Sequence, residues 1–292
     1  MPSLSSTPVR LGLIDAQLDN WHANTFLGLL RGAMRDRGAV VTGVWALDAP
    51  GGREWAAKNE LPFVDDAEAL DATVDAYMVL APSDPQLHLQ LCERVFPFAK
   101  PTYVDKTFAP DLATARRIFE LADQCRTPVQ TSSVLRYTSV QAFVCEQQQT
   151  PRHVVTWGSG RSIEEYAIHP VELAVSLLGA DAQRAMCRGG SEHVQVIMDY
   201  SAGRTAVVNV MSKPNTPFAA SVTTEKTTHH LTVDVNDMWA RGLGGILDFL
   251  TTGEPVVDRR ESLLVRRVLD LIAEPAGYEC WQPVDEGVLV AD

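Results

Sequence analysis

The chain has 292 residues, 46% of them hydrophobic and 21% charged, so it can bury two moderate cores and has the composition of a soluble globular protein. Its formal net charge of -12 argues against anionic partners such as nucleic acid or a membrane surface. It has no uninterrupted apolar stretch of about 18 residues and no basic segment leading into an apolar run near its start, so we expect a cytoplasmic protein. The five scattered cysteines form no CxxC pair, which argues against a disulfide framework or a zinc knuckle.

The first 125 residues alternate apolar runs with segments of helical periodicity. Strands are predicted at 9–14, 39–45, 76–80 and 102–104, and helices at 24–34, 53–59 and 86–95. Such alternation implies a parallel sheet covered on both faces, with ligands at the carboxyl ends of its strands. We therefore predict a Rossmann-like, doubly wound α/β domain over residues 1–125.

The pattern changes after Cys125. A predicted helix at 164–178 is followed by strand candidates that Gly- and Pro-containing turns separate, at 194–199, 205–210, 219–223 and 230–235. Two further helices are predicted at 237–251 and 261–273. This order predicts an α+β domain over residues 126–292, built on a mostly antiparallel or mixed open sheet.

The stretch from Lys100 to Tyr137, KPTYVDKTFAPDLATARRIFELADQCRTPVQTSSVLRY, resembles a segment of the Gfo/Idh/MocA family. That family is named for glucose-fructose oxidoreductase, inositol dehydrogenase and a rhizopine-catabolism protein. In it, a Gly-Lys strand leads to Glu-Lys-Pro, a helix, and an apolar strand that ends in an Arg-Tyr-like pair. Asp105, Lys106 and Thr107 match Glu-Lys-Pro here, so the lysine is kept and the proline is lost.

A second segment, EEYAIHPVELAVSLLG from Glu164 to Gly179, resembles the family helix that carries an acid, a histidine four residues later and a closing Leu-x-Gly. Glu165 stands where an Asp is usual, His169 is retained, and Glu172 replaces another common Asp. With the first segment, the resemblance covers nearly the whole chain. It implies the two-domain fold of these oxidoreductases and, for the second domain, a role in substrate binding and oligomerisation.

The residues in these segments suit alcohol oxidation. Glu165 and His169 are four residues apart on a predicted helix, so they share a face, and a histidine beside a carboxylate can accept a hydroxyl proton near neutral pH. Lys106 follows a strand at the carboxyl edge of the parallel sheet, where it would stabilise negative charge on the same oxygen. The resemblance implies catalytic roles for Lys106, Glu165 and His169.

The resemblance also implies that Arg136 and Tyr137 lie near the substrate or the domain junction. Tyr166, next to the Glu165 and His169 pair, is a candidate to line the substrate pocket. A structural reading stays open for each of them. Arg136 and Tyr137 could instead form a hinge salt bridge, and Tyr166 could pack between domains. No metal site is predicted, because the adjacent histidines at 229 and 230 would point to opposite faces of a strand.

The loop after the first strand departs from the family pattern. The three positions where glycines would cradle a dinucleotide are Asp15, Gln17 and Asn20. Gln17 would place a side chain where the phosphates approach, and Asn20 would crowd the helix against the strand. The Asp15 carboxylate, at about 4 Å from a phosphate, would repel it by roughly 4 kcal/mol at an intermediate dielectric.

Two hypotheses follow from this departure. In the first, the protein is an oxidoreductase acting on a sugar, a polyol or a related hydroxylated compound, and NAD or NADP binds in an altered pose. The residues expected to contact that cofactor are Asp15, Gln17, Asn20, Trp21, His22, Asp48, Ala81, Pro82 and Ser83.

In the second hypothesis, the dinucleotide site has been lost and the scaffold serves as a non-redox enzyme or as a binding or regulatory subunit. Asp15, Asp19 and His22 would then form a polar or metal-binding cluster, although helix capping explains Asp19 or Asn20 more simply. By analogy with the family, we expect a homodimer or homotetramer formed through the second-domain sheet.

Overall fold

The computed structural model describes residues 7–285, which fold into two compact units. The first unit contains the described residues up to Thr131 together with Leu243–Val256. The second contains Ser132–Gly242 and the described residues from Val257 onward. Among the described residues, no helix is both long enough and apolar enough to cross a membrane.

A five-stranded parallel sheet forms the centre of the first unit. Its strands are β1 (Val9–Asp15), β2 (Ala39–Ala46), β3 (Ala76–Val79), β4 (Thr102–Val104) and β5 (Val129–Thr131). They lie in the order β2-β1-β3-β4-β5, with every neighbouring pair parallel. The five residues from Leu11 to Asp15 are all buried, as in a strand covered on both faces. The predicted Rossmann-like sheet is confirmed.

Helices connect these strands: α1 (Trp21–Arg31), α2 (Ala49–Lys58), α3 (Ala67–Asp71), α4 (His88–Val95) and α5 (Leu112–Cys125). Four of them begin after an Asn or Asp whose side chain accepts the backbone N–H three residues on: Asn20, Asp48, Asp66 and Asp111. The five-residue α3 is too short to show a helical period, so the sequence pattern does not predict it. The sheet extends past the predicted domain boundary at residue 125, because β5 pairs with β4.

A seven-stranded mixed sheet forms the second unit. Its strands are β6 (His153–Ser159), β7 (Ala182–Gly189), β8 (His193–Tyr200), β9 (Thr205–Met211), β10 (Ala219–Thr223), β11 (Thr228–Thr232) and β12 (Gln282–Pro283). They lie in the order β11-β10-β6-β9-β8-β7-β12, with β6 and β9 parallel and the other pairs antiparallel. The predicted mixed sheet is confirmed, although the sequence pattern does not predict β6 or β7.

The helices of the rest of the chain are α6 (Ser139–Gln147), α7 (Ile163–Tyr166), α8 (Ile168–Leu178), α9 (Met238–Thr252), α10 (Arg259–Ala273) and α11 (Ala276–Glu279). α8 packs on β6 and α10, and its central residues are buried almost without interruption. The sequence predicts one helix at 164–178, whereas the structure has two, α7 and α8, which meet at Ala167. The residues of α9 are divided between the two units after Gly242.

Candidate active-site residues

The carboxyl ends of β1, β3 and β4 meet at one edge of the first sheet, because neighbouring strands are parallel. β1 has β2 on one side and β3 on the other, so the connections diverge at this point of the sheet. Open α/β sheets bind their ligands in the crevice outside such strand ends. This edge carries the residues predicted to contact a cofactor, as well as Lys106.

Asp15 is the last residue of β1, and its side chain is buried among hydrogen-bond donors. Its carboxylate accepts the Gln17 backbone N–H at 3.1 Å and the Asn20 Nδ2 group at 2.8 Å. The backbone N–H groups of Ala16 and Ala81 also donate to it. Burial raises the pKa of the Asp15 carboxyl to about 6, and these four donors oppose that rise. This loop therefore holds a buried acid in a small cage of donors.

Asn20 caps α1 and closes the loop at the same time. Its Oδ1 atom accepts the Ala23 N–H at 3.0 Å, and its Nδ2 group donates to the Gln17 carbonyl at 2.7 Å. The capping role considered for Asn20 is confirmed, and the loop accommodates its side chain instead of crowding the helix. The Asp19 carboxylate accepts a hydrogen bond from Asn24 at 3.1 Å. Among the described residues, no group of three or more His, Cys, Asp or Glu side chains is arranged to hold a metal ion.

A buried histidine–aspartate pair supports the backbone of Lys106. His22 Nδ1 hydrogen-bonds to Asp105 Oδ2, while Asp105 Oδ1 accepts the Lys106 N–H at 2.8 Å and the Tyr103 hydroxyl at 3.2 Å. Burial opposes ionisation of Asp105, but His22 and Lys106 outweigh it and hold the pKa of this carboxyl below its ordinary value. Asp105 is thus an anion whose hydrogen bonds fix the start of the loop that carries Lys106.

Lys106 itself is half-buried, and its Nζ lies 3.4 Å from the Pro82 carbonyl oxygen. The peptide bond between Lys106 and Thr107 is cis, although residue 107 is not a proline. Because its Nζ contacts the Pro82 carbonyl, the Lys106 ammonium lies beside the segment that follows β3. This segment holds three of the predicted cofactor contacts, with Ala81 buried, Pro82 half-buried and Ser83 exposed.

His88 is fully buried, and its ring lies between the segments that follow β3 and β4. Its Nε2 atom lies 2.5 Å from the carbonyl oxygen of Leu80, and its Nδ1 atom lies 3.0 Å from that of Phe108. Burial lowers the pKa of the His88 ring, and a neutral ring carries a single N–H, so one carbonyl is hydrogen-bonded at a time. His88 was not among the predicted site residues. A histidine on the apolar face of a predicted helix was the only sequence signal.

The remaining predicted cofactor contacts lie around the loop. Trp21 is the first residue of α1, and its side chain is 68% exposed. Asp48 caps α2 through the Gly51 N–H and donates its own backbone N–H to the Ala16 carbonyl at 3.0 Å. The structure thus brings Asp48 next to the loop after β1, with its carboxylate exposed.

In the second unit, His169 lies near the start of α8 with its ring fixed on three sides. Its Nδ1 atom is 2.8 Å from the Oγ atom of Ser133. Ser133 was not among the predicted site residues. The Tyr166 and Phe218 rings make edge contacts with the imidazole, at centroid distances of 5.7 and 5.6 Å. Ser133 Oγ also accepts the Leu135 N–H, which places the hydroxyl in a short turn directly after β5.

Glu165 and Tyr166 lie on α7, ahead of the break at Ala167. The Glu165 carboxylate faces Arg161 at 3.9 Å, and that arginine is 84% exposed, so the pair is a weak surface contact. The Tyr166 ring packs directly on Gly160, where a Cβ atom would come within 2.1 Å of it. The structure therefore brings Tyr166 to the His169 ring, while Glu165 pairs with Arg161.

Arg136 forms a buried ion-pair network within the second unit. Its Nε donates to Glu172 at 2.7 Å and its Nη1 to Glu261 at 2.5 Å. Burial disfavours the charged guanidinium, but these two carboxylates outweigh it and raise the pKa of Arg136. Burial also raises the pKa of Glu172, which Arg136 offsets only in part. The Nη2 atom of Arg136 is buried and has no hydrogen-bond partner among the described residues. Tyr137 is half-buried at the end of the same short turn.

The complete two-unit fold is shared with solved structures of oxidoreductases. An oxidoreductase from Agrobacterium radiobacter, solved in complex with NAD+, L-tartaric acid and magnesium, has 16% sequence identity and a TM-score of 0.76, covering 96% of this chain and 99% of its own. A putative NADPH-dependent oxidoreductase from Desulfitobacterium hafniense has 12% identity and a TM-score of 0.78, covering 98% and 100%. UDP-N-acetylglucosamine 3-dehydrogenase from Acidithiobacillus ferrooxidans has 15% identity and a TM-score of 0.75, covering 93% and 98%.

No protein-family profile and no curated protein sequence matches the chain. The chain shares the two-domain fold of these solved oxidoreductases, which is the fold that the two resembling segments predict. Identities this low establish the fold, and the activity has to be argued from the site residues.

Proposed function

We propose that this protein is an NAD(P)-dependent oxidoreductase that transfers hydride to or from a secondary alcohol or ketone of a sugar, a polyol or a similar small hydroxylated compound. The observation that carries the proposal is the position of Lys106, two residues after the end of β4 at the carboxyl edge of a parallel sheet. Solved oxidoreductases of the same fold include one in complex with NAD+. Ligands of such sheets bind outside these strand ends.

Lys106 and His169 are the groups we assign to the reaction. The nicotinamide ring, when bound, accepts or supplies the hydride. Lys106 donates a hydrogen bond to the substrate oxygen and stabilises the negative charge that develops there. His169 takes the hydroxyl proton during oxidation and returns it during reduction. The contacts of its ring with Ser133, Tyr166 and Phe218 support this role, because they hold the imidazole in one orientation.

The cofactor-binding residues fit a dinucleotide in part. Trp21, Pro82 and Ser83 lie at the correct edge of the sheet with side chains that are exposed or half-buried. The Asp15 carboxylate, in contrast, holds backbone donors of the loop in which such folds bind a pyrophosphate. A dinucleotide therefore fits this loop only when that carboxylate is neutral or displaced.

The same carboxylate favours a second candidate function. If the Asp15 network excludes dinucleotides at every pH, the fold would serve as a non-redox enzyme or as a binding or regulatory subunit. The observation behind this alternative is the buried Asp15 carboxylate with its hydrogen bonds to Asn20 and the Gln17 backbone.

Cofactor binding and turnover separate the two functions. We expect NAD+ or NADP+ to quench the intrinsic fluorescence and to raise the melting temperature at pH 5.5, with turnover on a panel of polyols and sugars. Lys106→Ala and His169→Ala should each lower kcat at least 100-fold, as expected for groups that act on the reacting oxygen, and should leave the circular dichroism spectrum unchanged. Near-normal turnover in either variant removes that residue from the mechanism. If neither cofactor binds at millimolar concentration at pH 5.5 or pH 8, the second function is correct.

We also propose that the protein forms a homodimer or homotetramer through the face of the second sheet opposite α8. Met186, Ile197, Val207 and Val155 form a continuous apolar row across β7, β8, β9 and β6, and all four are half-buried. Trp157 extends this row on β6. The cytoplasmic location expected from the sequence stays a prediction.

A further inference from the structure

We propose that Asp15 is an internal occupant of the anion site in the loop after β1, so that any phosphate-bearing cofactor binds there together with one proton. The proposal rests on the proposed function, because it concerns the same cofactor. It makes Asp15 the residue that determines how strongly, and at which pH, the loop accepts a dinucleotide.

The backbone N–H donors of the loop after β1 already have an anionic acceptor. A pyrophosphate in a βα dinucleotide loop is held by backbone N–H groups of the loop and of the following helix. Here the N–H groups of Ala16, Gln17 and Ala81 point at the Asp15 carboxylate. The Ala23 N–H of α1 points at the Asn20 side chain, which in turn donates to Asp15. The loop thus binds an anion that belongs to the chain itself.

The Asp15 carboxylate is buried where a phosphate would have to bind. Asp15 is 1% exposed and follows four apolar, buried residues of β1, Leu11 to Ile14. Two negative charges about 4 Å apart repel by roughly 4 kcal/mol at an intermediate dielectric, so a phosphate and an ionised Asp15 exclude each other. Protonation of Asp15 removes the repulsion and reduces the demand of its oxygens for donors, which frees backbone N–H groups for the ligand.

The Asp15 carboxylate can take up a proton near neutral pH. Burial raises the pKa of the Asp15 carboxyl to about 6 in the ligand-free protein, so little free energy is needed to neutralise it at pH 6. A phosphate nearby would raise this pKa further. Below pH 6 the free protein already carries the proton and affinity should be constant. Above pH 6 the proton must be taken up, and the dissociation constant should rise about tenfold for each pH unit.

Other ionisable groups lie on every element around the loop. They are Asp19 in the loop, His22 on α1, Asp48 at the start of α2, Asp84 after β3, and Asp105 and Lys106 after β4. Asp19, Asp48 and Asp84 are exposed or half-buried, so water stabilises their charges. His22 and Asp105 hydrogen-bond to each other. Asp15 is the group that directly occupies the backbone donors of the loop.

The test is calorimetric titration of the full chain with NAD+ between pH 5.5 and 8.5. We expect the dissociation constant to be nearly constant up to pH 6 and to rise about 100-fold between pH 6 and pH 8. Repeating the titration at pH 7.5 in buffers of different ionisation enthalpy should show uptake of about one proton per NAD+, a readout that needs no variant. Asp15→Asn, which keeps the size of the side chain, should bind NAD+ with little pH dependence and more tightly than the wild type at pH 8.

Asp19→Asn is the matched control, since it removes a charge of the same loop without touching the donors. It should keep the wild-type slope. A wild-type affinity that is flat from pH 5.5 to 8.5, no proton uptake at pH 7.5, or an unchanged slope in Asp15→Asn would overturn the inference while leaving the proposed function intact. Absence of NAD+ binding at every pH in both the wild type and Asp15→Asn would instead overturn the proposed function, and this inference with it.

Discussion

Ser133 contacts the ring of His169, the residue to which we assign proton transfer. It lies 2.8 Å from His169 Nδ1 and also accepts the Leu135 N–H, so its own position is fixed by the backbone. A hydrogen bond at one ring nitrogen sets the orientation of the ring and the direction of the other nitrogen. We therefore regard Ser133 as a positioning residue for His169.

We predict that Ser133→Ala lowers kcat by about tenfold with little change in KM, because the substrate contacts remain while the imidazole loses its orienting hydrogen bond. The pH profile of kcat should shift as well, which a purely structural defect would not cause. Ser133→Thr keeps the hydroxyl and should restore most of the rate. If kcat and its pH profile are the same in Ser133→Ala and the wild type, Ser133 has no positioning role.

Residues that follow local rules could be predicted from the sequence, and those that depend on a distant partner could not. Asn20 belongs to the predictable kind, because an Asn before a helix caps it through its own next turn. Ser133 belongs to the other kind. The family resemblance predicts an apolar strand that runs up to the Arg136-Tyr137 pair. In the structure, β5 ends at Thr131, and a short turn presents Ser133 to His169, 36 residues later.

At the scale of elements, His88 connects the ends of two strands. It lies at the start of α4, and its two ring nitrogens face the Leu80 carbonyl after β3 and the Phe108 carbonyl in the loop that carries Lys106. Because His88 is fully buried, water cannot replace it as a partner for either carbonyl. The contact therefore holds the Lys106 loop against β3.

We predict that His88→Leu lowers the free energy of unfolding by about 2 kcal/mol, since it removes the ring N–H that one of the two carbonyls accepts, at nearly constant side-chain volume. Urea denaturation followed by tryptophan fluorescence measures the change. His193→Leu, at an exposed position of β8, is the control and should stay within about 0.5 kcal/mol of the wild type. Equal effects of the two substitutions would contradict a structural role for His88.

The break between α7 and α8 is a second feature of this scale. The sequence periodicity predicts one helix at 164–178, which would place Glu165 and His169 on the same face. In the structure, the Glu165 carboxylate faces Arg161 and the His169 ring contacts Ser133. Periodicity measures which residues are apolar, and it does not register which partners a side chain meets on other segments.

At the scale of the whole molecule, the face of the second sheet opposite α8 is the surface through which we propose that the protein assembles. Its apolar row is continuous because residues paired across neighbouring strands point to the same face, so Met186, Ile197 and Val207 lie side by side. Rows of half-buried apolar side chains of this kind are typical of surfaces that a second protein covers.

We predict that Ile197→Lys shifts the protein from an oligomer to a monomer, because association would bury an unpaired charge in the centre of the row. Light scattering coupled to size-exclusion chromatography gives the mass of each species. Val40→Lys changes another exposed apolar residue, on β2 of the first unit, and should leave the mass unchanged. A monomeric wild type, or an Ile197→Lys variant of wild-type mass, would contradict assembly through this face.

The sequence by itself determined the two-domain plan, most of the strands and helices, and the order of the two segments around Lys106 and His169. It could do so because strand and helix periodicity and turn residues act locally along the chain. Only the tertiary structure decided that Asp15 lies in a cage of backbone donors, that His22 pairs with Asp105, and that Ser133 faces His169. The burial and the hydrogen-bond partners of a side chain depend on segments far away in the sequence, and these set the pKa of an acid such as Asp15.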